Sequence, residues 1–132
     1  MNVLLDTQVV LWWLGDDPRL GKRARAAIAS GNNQIFVSAL SIFECAAKER
    51  IKKLKISTRS VVDRLTVERF QELAYDFWSA QKLAEVPLQT WNDPFDFGLA
   101  AQAAAKKLVL LTGDHNILAM DWAELRKLDA TR

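Results

Sequence analysis

The sequence has very few of the residues that form disulfides, thiolate metal sites or imidazole catalysis. Its 132 residues include one cysteine, Cys45, and one histidine, His115. A single thiol excludes an internal disulfide and a zinc site built from several cysteines. With one histidine, a Ser–His nucleophilic pair is a poor explanation of any activity, and we expect His115 to lie in a solvated loop. A small chain without disulfides is typical of a reducing cytoplasm, which is the expected compartment.

The chain also lacks a long apolar run. The opening segment, MNVLLDTQVVLWWLGDD, has no basic region at its start and is interrupted by Asp6 and Gln8. A membrane-spanning helix needs roughly 18 apolar residues. We therefore expect neither a signal peptide nor a membrane anchor.

A large excess of positive charge is missing as well. Eighteen Lys and Arg face sixteen Asp and Glu, so the net charge is +2. That balance is far from the polybasic signature of proteins that hold nucleic acid by charge alone. With 26% charged residues, 5 Gly and 3 Pro, the composition excludes a disordered or collagen-like chain. At this length we expect one domain over residues 1–132 with one substantial core.

Short apolar runs alternate with helical segments along the chain. Runs at 3–5, 35–37 and 108–111 have the pattern of strands buried on both faces. The alternation predicts an α/β domain with a parallel sheet. Five further helices are predicted: over 20–30, from Ser41 to about 53, over 58–69, after a cap at Asp76, and from Asp93-Pro94 to about 107. A short strand is predicted within 70–75. The tail should contain a short helix and an edge strand near 125–128.

Acidic residues stand at the ends of these predicted elements. Asp6 follows the first strand, Asp114 follows the third, Glu44 lies in the first turn after the second, and Asp93 and Asp96 start a later helix. In strand–helix–strand units, strand carboxyl ends and helix amino ends share one edge of the sheet. We therefore expect these acids at the edge where open α/β sheets bind ligands.

Each acid also has a purely structural explanation. Ser41 and Glu44 fit a capping box, Asp93 fits an N-cap, and Asp96 complements the helix dipole. The remaining two acids could simply end strands. Taken together, however, several carboxylates at one edge repel one another, and converging oxygen ligands suit Mg²⁺ or Mn²⁺. A metal held there supports hydrolysis of a phosphodiester.

Four segments carry these acids in a recognisable order. They read LLDT at 4–7 with LWWL at 11–14, SALSIFE at 38–44 with Lys48, NDPFD at 92–96 with LAAQA at 99–103, and LLTGD at 110–114. In this order they resemble the motifs of PIN-domain ribonucleases, specifically the VapC-like toxins of type II toxin–antitoxin modules.

The resemblance implies an α/β/α sandwich with a short central parallel sheet. It implies a Mg²⁺- or Mn²⁺-dependent endoribonuclease that hydrolyses RNA phosphodiesters, a homodimer and a cognate antitoxin. On this resemblance the catalytic and metal-site residues are Asp6, Glu44, Asp96 and Asp114, with Asp93 open between a helix cap and a further ligand. Three polar residues would support the acids or orient water: Thr7, Ser41 and Thr112.

Lysines follow Glu44 at helical spacing, at positions 48, 52 and 55, with Arg50 and Lys53 beside them. Lys48, four residues on, and Lys52 are candidates for contact with RNA phosphate. The alternative is a solvated basic face that pairs with Glu49.

One position departs from the resemblance. Phe97-Gly98 stands where the family usually has a basic residue directly after the third motif. A glycine inside a helix suggests a close approach of another chain segment.

Two other functions stay open: a metal-dependent DNA nuclease or phosphoesterase using the same carboxylates, and a non-catalytic PIN-like binding protein.

The near-neutral charge has a further interpretation. If five of the sixteen acids form one pocket, eleven remain against eighteen bases. The outer surface is then positive and attracts an anionic substrate, while a metal masks the pocket.

Overall fold

A five-stranded parallel sheet forms the centre of the protein. The structure, a computed structural model, describes residues 1–91 and 93–132, so Asn92 of the third motif lies outside the described residues. The strand order is β3-β2-β1-β4-β5, and each neighbouring pair is parallel. The parallel sheet expected from the sequence is confirmed. The strands are β1 Asn2–Leu5, β2 Gln34–Ser38, β3 Gln71–Leu73, β4 Val109–Thr112 and β5 Arg126–Asp129.

Helices connect the strands and cover both faces of the sheet. Two of the predicted caps are confirmed: Asp76 and Asp93 accept hydrogen bonds from the first turns of their helices. Within the described residues, no helix is long and apolar enough to cross a membrane. The helices are α1 Thr7–Leu14, α2 Lys22–Ala29, α3 Ala39–Arg50, α4 Thr58–Glu68, α5 Phe77–Lys82, α6 Pro94–Lys106 and α7 His115–Ala119.

Alternate residues of the central strands face two apolar layers. In β1, Val3 and Leu5 pack with α1, α2 and α4, whereas Leu4 packs with α6 and α7. In β4, Leu111 and Leu110 divide in the same way. This alternation follows from the pleat of a strand, and it gives the expected α/β/α sandwich.

The helix after β2 begins earlier than the sequence predicts. The side chain of Ser38 accepts a hydrogen bond from the Leu40 N–H at 3.0 Å and caps α3, which starts at residue 39. The prediction that Ser41 opens this helix and forms a capping box with Glu44 is therefore wrong. Ser38 ends β2 and takes the cap, so Ser41 is buried within the first turn and Glu44 lies in the second turn.

The same helix also ends earlier than predicted. It stops at residue 50, and Lys52 adopts left-handed backbone with φ of 58°. The N–H groups of Lys52 and Lys53 donate to the carbonyl oxygens of Glu49 and Lys48 at 3.0 and 2.8 Å, which closes the helix end. Lys52 is therefore off the helical spacing on which its prediction rested.

Residues Phe97 and Gly98 pack into the sandwich. Phe97 is 8% exposed, and its ring centroid lies 4.7 Å from that of Trp91. The Tyr75 hydroxyl donates to the Gly98 carbonyl oxygen at 2.8 Å. A Cβ at Gly98 would lie 2.5 Å from Cδ2 of Leu40. The close approach expected at Gly98 is confirmed, and the position expected to be basic faces the core.

Candidate active site at the carboxyl edge of the sheet

The structure brings the five candidate acids together around one open cavity. The cavity has a volume of about 270 Å³ and lies where β1 and β4 end. Thr7 and Lys48 line it too, whereas His115 is exposed at the start of α7, outside the lining. The acids that line it are Asp6, Glu44, Asp93, Asp96 and Asp114.

Three of these acids are held in place by capping helices. Asp6 caps α1, Asp93 caps α6 and Asp114 caps α7. Each accepts hydrogen bonds from backbone N–H groups two to three residues further along the chain, at distances from 2.9 to 3.2 Å. Asp6 and Asp114 therefore cap helices as well as following strands, and both line the cavity.

Asp6 is the most enclosed of the three caps. It is 6% exposed, and the Thr112 hydroxyl donates to its carboxylate. Burial raises the pKa of Asp6, while the hydrogen bonds from Thr112 and from the Val9 N–H oppose that rise. The backbone N–H of Asp114 donates to the same hydroxyl at 3.1 Å, so Thr112 connects two of the acids.

Asp96 lies on the first turn of α6, half-buried among the other four acids. Burial, followed by the charges of Asp93, Asp114, Asp6 and Glu44, raises its pKa to about 7. Among the hydrogen bonds between described residues, none reaches its carboxylate. Without a cation nearby, this carboxyl is therefore only partly ionised at neutral pH.

Buried Glu44 forms an ion pair with Lys48, which is partly exposed. The Lys48 Nζ lies 2.6 Å from the Glu44 Oε2, while Oε1 is buried and has no hydrogen-bond partner among the described residues. Burial lowers the pKa of Lys48, but its hydrogen bond to Glu44 and the charges of Glu44 and Asp93 together raise it. Among the described residues no ion pair joins this basic face to Glu49, which accepts a hydrogen bond from the Thr58 N–H at 2.8 Å.

The remaining predicted residues take different places. The Thr7 hydroxyl donates to Ser41 Oγ at 2.9 Å, and this buried bond joins α1 to α3 beside the cavity. Thr7 lines the cavity and Ser41 supports it from behind. Lys52 is exposed on the turn after α3 and is not among the lining residues.

Sequence reasoning missed the α1 wall of the cavity. Gln8, Leu11 and Trp12 line it. A Cβ at Gly113 would lie 2.9 Å from Cη2 of Trp12, so this glycine leaves room for the indole ring. The signal was present, since positions 8, 11 and 12 have the i, i+3, i+4 spacing of one helix face.

The donor set fits a hard divalent cation chemically. All five acids offer oxygen ligands, Glu44 has a buried oxygen without a partner, and Asp96 carries the repulsion that a cation would relieve. Yet in the part of the chain that the structure describes, no three His, Cys, Asp or Glu side chains form a group that could hold a metal ion.

Comparison with known proteins gives a family match and a set of similar folds. A family model described as PIN domain matches residues 3–123. No curated protein sequence matches the chain. Since the similar structures described next are at most 17% identical to it, they show the fold alone.

Three of those structures are complexes. One is VapBC2 from Rickettsia felis, bound to a DNA fragment from the VapBC2 promoter. Its matching chain is 17% identical to this protein, with a TM-score of 0.72 and 98% of both chains covered. A chain of DNA-bound VapBC from Salmonella typhimurium is 16% identical, with a TM-score of 0.68 and 98% of both chains covered. A chain of VapBC-1 from nontypeable Haemophilus influenzae is 17% identical, with a TM-score of 0.64 and 100% of both chains covered.

Proposed function

Because this chain belongs to the PIN domain family, we propose that it is a metal-dependent endoribonuclease and the toxin of a VapBC-type toxin–antitoxin module. The family is one of nucleases, which act on nucleic acids as hydrolases. The observation that carries the proposal is the cavity lined by five acids from four separate chain segments. Such a gathering of like charges is unfavourable unless a cation offsets it.

The proposed metal site uses Asp6, Glu44, Asp96 and Asp114, with Asp93 as a further ligand. Mg²⁺ or Mn²⁺ bound there would supply an activated water and neutralise charge on the phosphate. Thr112 fixes the Asp6 carboxylate, and the bond between Thr7 and Ser41 fixes the cavity wall. Lys48 stands at the cavity with its ammonium group partly exposed, where it can contact a phosphate.

The proposed partners are an RNA substrate, a cognate antitoxin and a second copy of the chain. Similar solved structures are VapBC complexes, which supports an antitoxin partner for this chain. The homodimer rests on the family resemblance of the motifs.

The direct test is cleavage of labelled RNA by the antitoxin-free protein with Mg²⁺, with Mn²⁺ and with EDTA. Cleavage should require the metal. Asp6→Asn and Asp96→Asn should each lower the rate by about 100-fold or more, as is typical when a group of the reaction centre is removed. Asp63→Asn is the matched control, because Asp63 is an exposed acid on α4, away from the cavity. Cleavage that persists in EDTA or in both cavity variants would refute the mechanism.

The same assay distinguishes an RNA substrate from a DNA substrate. Unlabelled single-stranded DNA added as a competitor should slow cleavage less than unlabelled RNA of the same sequence. Faster cleavage of labelled DNA than of labelled RNA would instead assign the carboxylates to a DNA nuclease.

One observation favours a non-catalytic binding protein as the second candidate. Within residues 1–91 and 93–132, the acids do not already form a metal-holding group. Titration calorimetry with Mn²⁺ distinguishes the two candidates. Heat that follows a binding isotherm in the wild type and is absent in Asp6→Asn supports the enzyme, whereas no heat in either protein supports the binding protein.

A further inference from the structure

A second open cavity adjoins the acidic one. Its volume is about 470 Å³, and it lies between α1, α4 and the segment that follows α3. Gln8, Leu11, Trp12 and Lys48 line both cavities, so the two lie side by side. We call the second cavity the basic groove, after the residues that give it its character: Trp12, Arg19, Lys48, Lys53, Lys55 and Arg64.

The charge of the basic groove is the reverse of that of its neighbour. Five basic side chains line it, and its one acid, Asp17, is paired with Arg19 at 2.7 Å. The acidic cavity has five acids and one lysine. A phosphodiester chain that enters one cavity therefore meets an attractive surface next to it.

Two of the five cations are available for a ligand. Lys53 and Lys55 are exposed, and neither takes part in the ion pairs found between described residues. Arg64 instead connects α4 to the end of α1, because its Nη1 donates to the Leu14 carbonyl oxygen at 2.6 Å. Lys48 is paired with Glu44.

The wall shared by the two cavities is well fixed. Trp12 is buried, and the guanidinium carbon of Arg19 lies 5.3 Å from its ring centroid. Gly113 approaches the other end of the ring. The groove therefore keeps its position relative to the acids.

We propose that the basic groove binds the backbone phosphates of single-stranded RNA next to the scissile bond, and that Lys53 and Lys55 are its phosphate-binding residues. This proposal rests on the proposed function, because it takes the acidic cavity as the place of cleavage. Ammonium groups on flexible stems contact phosphate without recognising base edges, so the groove adds affinity and register rather than sequence selectivity.

The test compares two double variants that remove the same charge. Lys53→Gln/Lys55→Gln removes two cations from the groove. Arg50→Gln/Arg59→Gln removes two exposed cations from α3 and α4 that do not line it. Both are made in the Asp96→Asn background, in which cleavage should be slow enough for binding to be measured. Their binding of a labelled single-stranded RNA is followed by fluorescence anisotropy across a salt series.

The groove variant should bind RNA about three- to tenfold more weakly at low salt. The slope of log Kd against log salt should fall by about 0.7 for each phosphate that the variant no longer neutralises. The control pair should change Kd by less than about twofold. Equal weakening in the two pairs would mean diffuse attraction to the whole surface, and wild-type binding by the groove variant would mean that RNA passes elsewhere. Either result overturns the proposal.

Cleavage kinetics with the acids intact separate this proposal from the proposed function. Lys53→Gln/Lys55→Gln should raise KM and leave kcat within about twofold of the wild type, as expected when ground-state and transition-state binding weaken alike. If the wild type binds RNA through these lysines but never cleaves it, the proposed nuclease fails, and the groove remains an RNA-binding surface without a scissile bond beside it. If the variant loses affinity for an acidic peptide but not for RNA, the groove belongs to a protein partner and the RNA assignment fails.

Discussion

At Asp96, burial and the charges of the other four acids act on one carboxyl. Its pKa of about 7 lies well above the ordinary 3.8, because burial and four neighbouring carboxylates disfavour its charged form. Between those two values the folded state holds a proton that the unfolded state has released. The free energy of unfolding therefore falls as pH rises from about 4 to about 7, and this contribution is constant above that range.

Asp96→Asn should remove this pH dependence, since asparagine resembles the protonated carboxyl. With EDTA present, the variant should melt a few degrees above the wild type at pH 8, and the difference should shrink towards pH 5. Solvent limits its size, because Asp96 is partly exposed. Thermal melts followed by circular dichroism measure this. Asp63→Asn, at an exposed acid on α4, is the control variant. A pH-independent effect of Asp96→Asn would contradict the assignment.

Helix α6 shows how an element can be predicted while one of its faces is not. Asp93-Pro94 predicts its start from local chemistry, and the cap is present. Which neighbour covers Phe97 depends on Trp91 and on the second apolar layer, which no local pattern contains. A basic residue at position 97 would therefore point into the core of this protein.

Phe97→Arg should destabilise the fold, because it buries a charge without a partner. We expect the free energy of unfolding to fall by about 3 kcal/mol or more. Phe97→Leu keeps the position apolar and should cost about 1 kcal/mol. Urea unfolding followed by circular dichroism measures both. Equal stability of the two variants would show that the arginine side chain reaches solvent and that this face of α6 is open.

Helix α3 shows why boundaries are harder to predict than elements. Ser38 and Ser41 are both good caps, and only the pairing of Ser38 with Leu73 across β2 and β3 decides that the strand runs to Ser38.

The convergence of the acids at the candidate site was predictable from the sequence, since the carboxyl ends of parallel strands share one edge of the sheet. The position of the lysines after α3 was not, because helical spacing assumes a helix to about residue 53, whereas the helix ends at residue 50 and Lys52 has a left-handed backbone.

At the scale of the whole molecule, the net charge of +2 is a sum over separate regions. The acids of one cavity stand beside the bases of the groove, and eighteen bases face eleven acids over the rest of the chain. A balanced composition therefore says little about nucleic acid when the two signs are separated in space. The sequence supports this conclusion only after the fold has placed the acids together.

The two apolar layers lie on opposite faces of one sheet, so the folding of one layer depends on that of the other. β1 pairs with both β2 and β4 and sends alternate side chains into each layer. The carboxyl end of the chain is also tied to the start of α2, since the N–H groups of Gly21 and Arg23 donate to the carbonyl oxygens of Ala130 and Arg132 at 2.9 and 2.7 Å. We therefore propose that residues 1–132 form one domain that unfolds as a unit.

A cavity made in one layer should destabilise the other layer equally. Leu99 is 1% exposed in the layer of α6, and Leu99→Ala should lower the free energy of unfolding by about 2–5 kcal/mol. If unfolding is one transition, the slowest-exchanging amides of α2, on the opposite face, should lose protection by the same free energy in hydrogen-exchange mass spectrometry. Val67→Ala, at a position 82% exposed on α4, should change neither quantity. Unchanged protection of α2 in Leu99→Ala, together with two separate urea transitions, would show that the two faces of the sheet unfold independently.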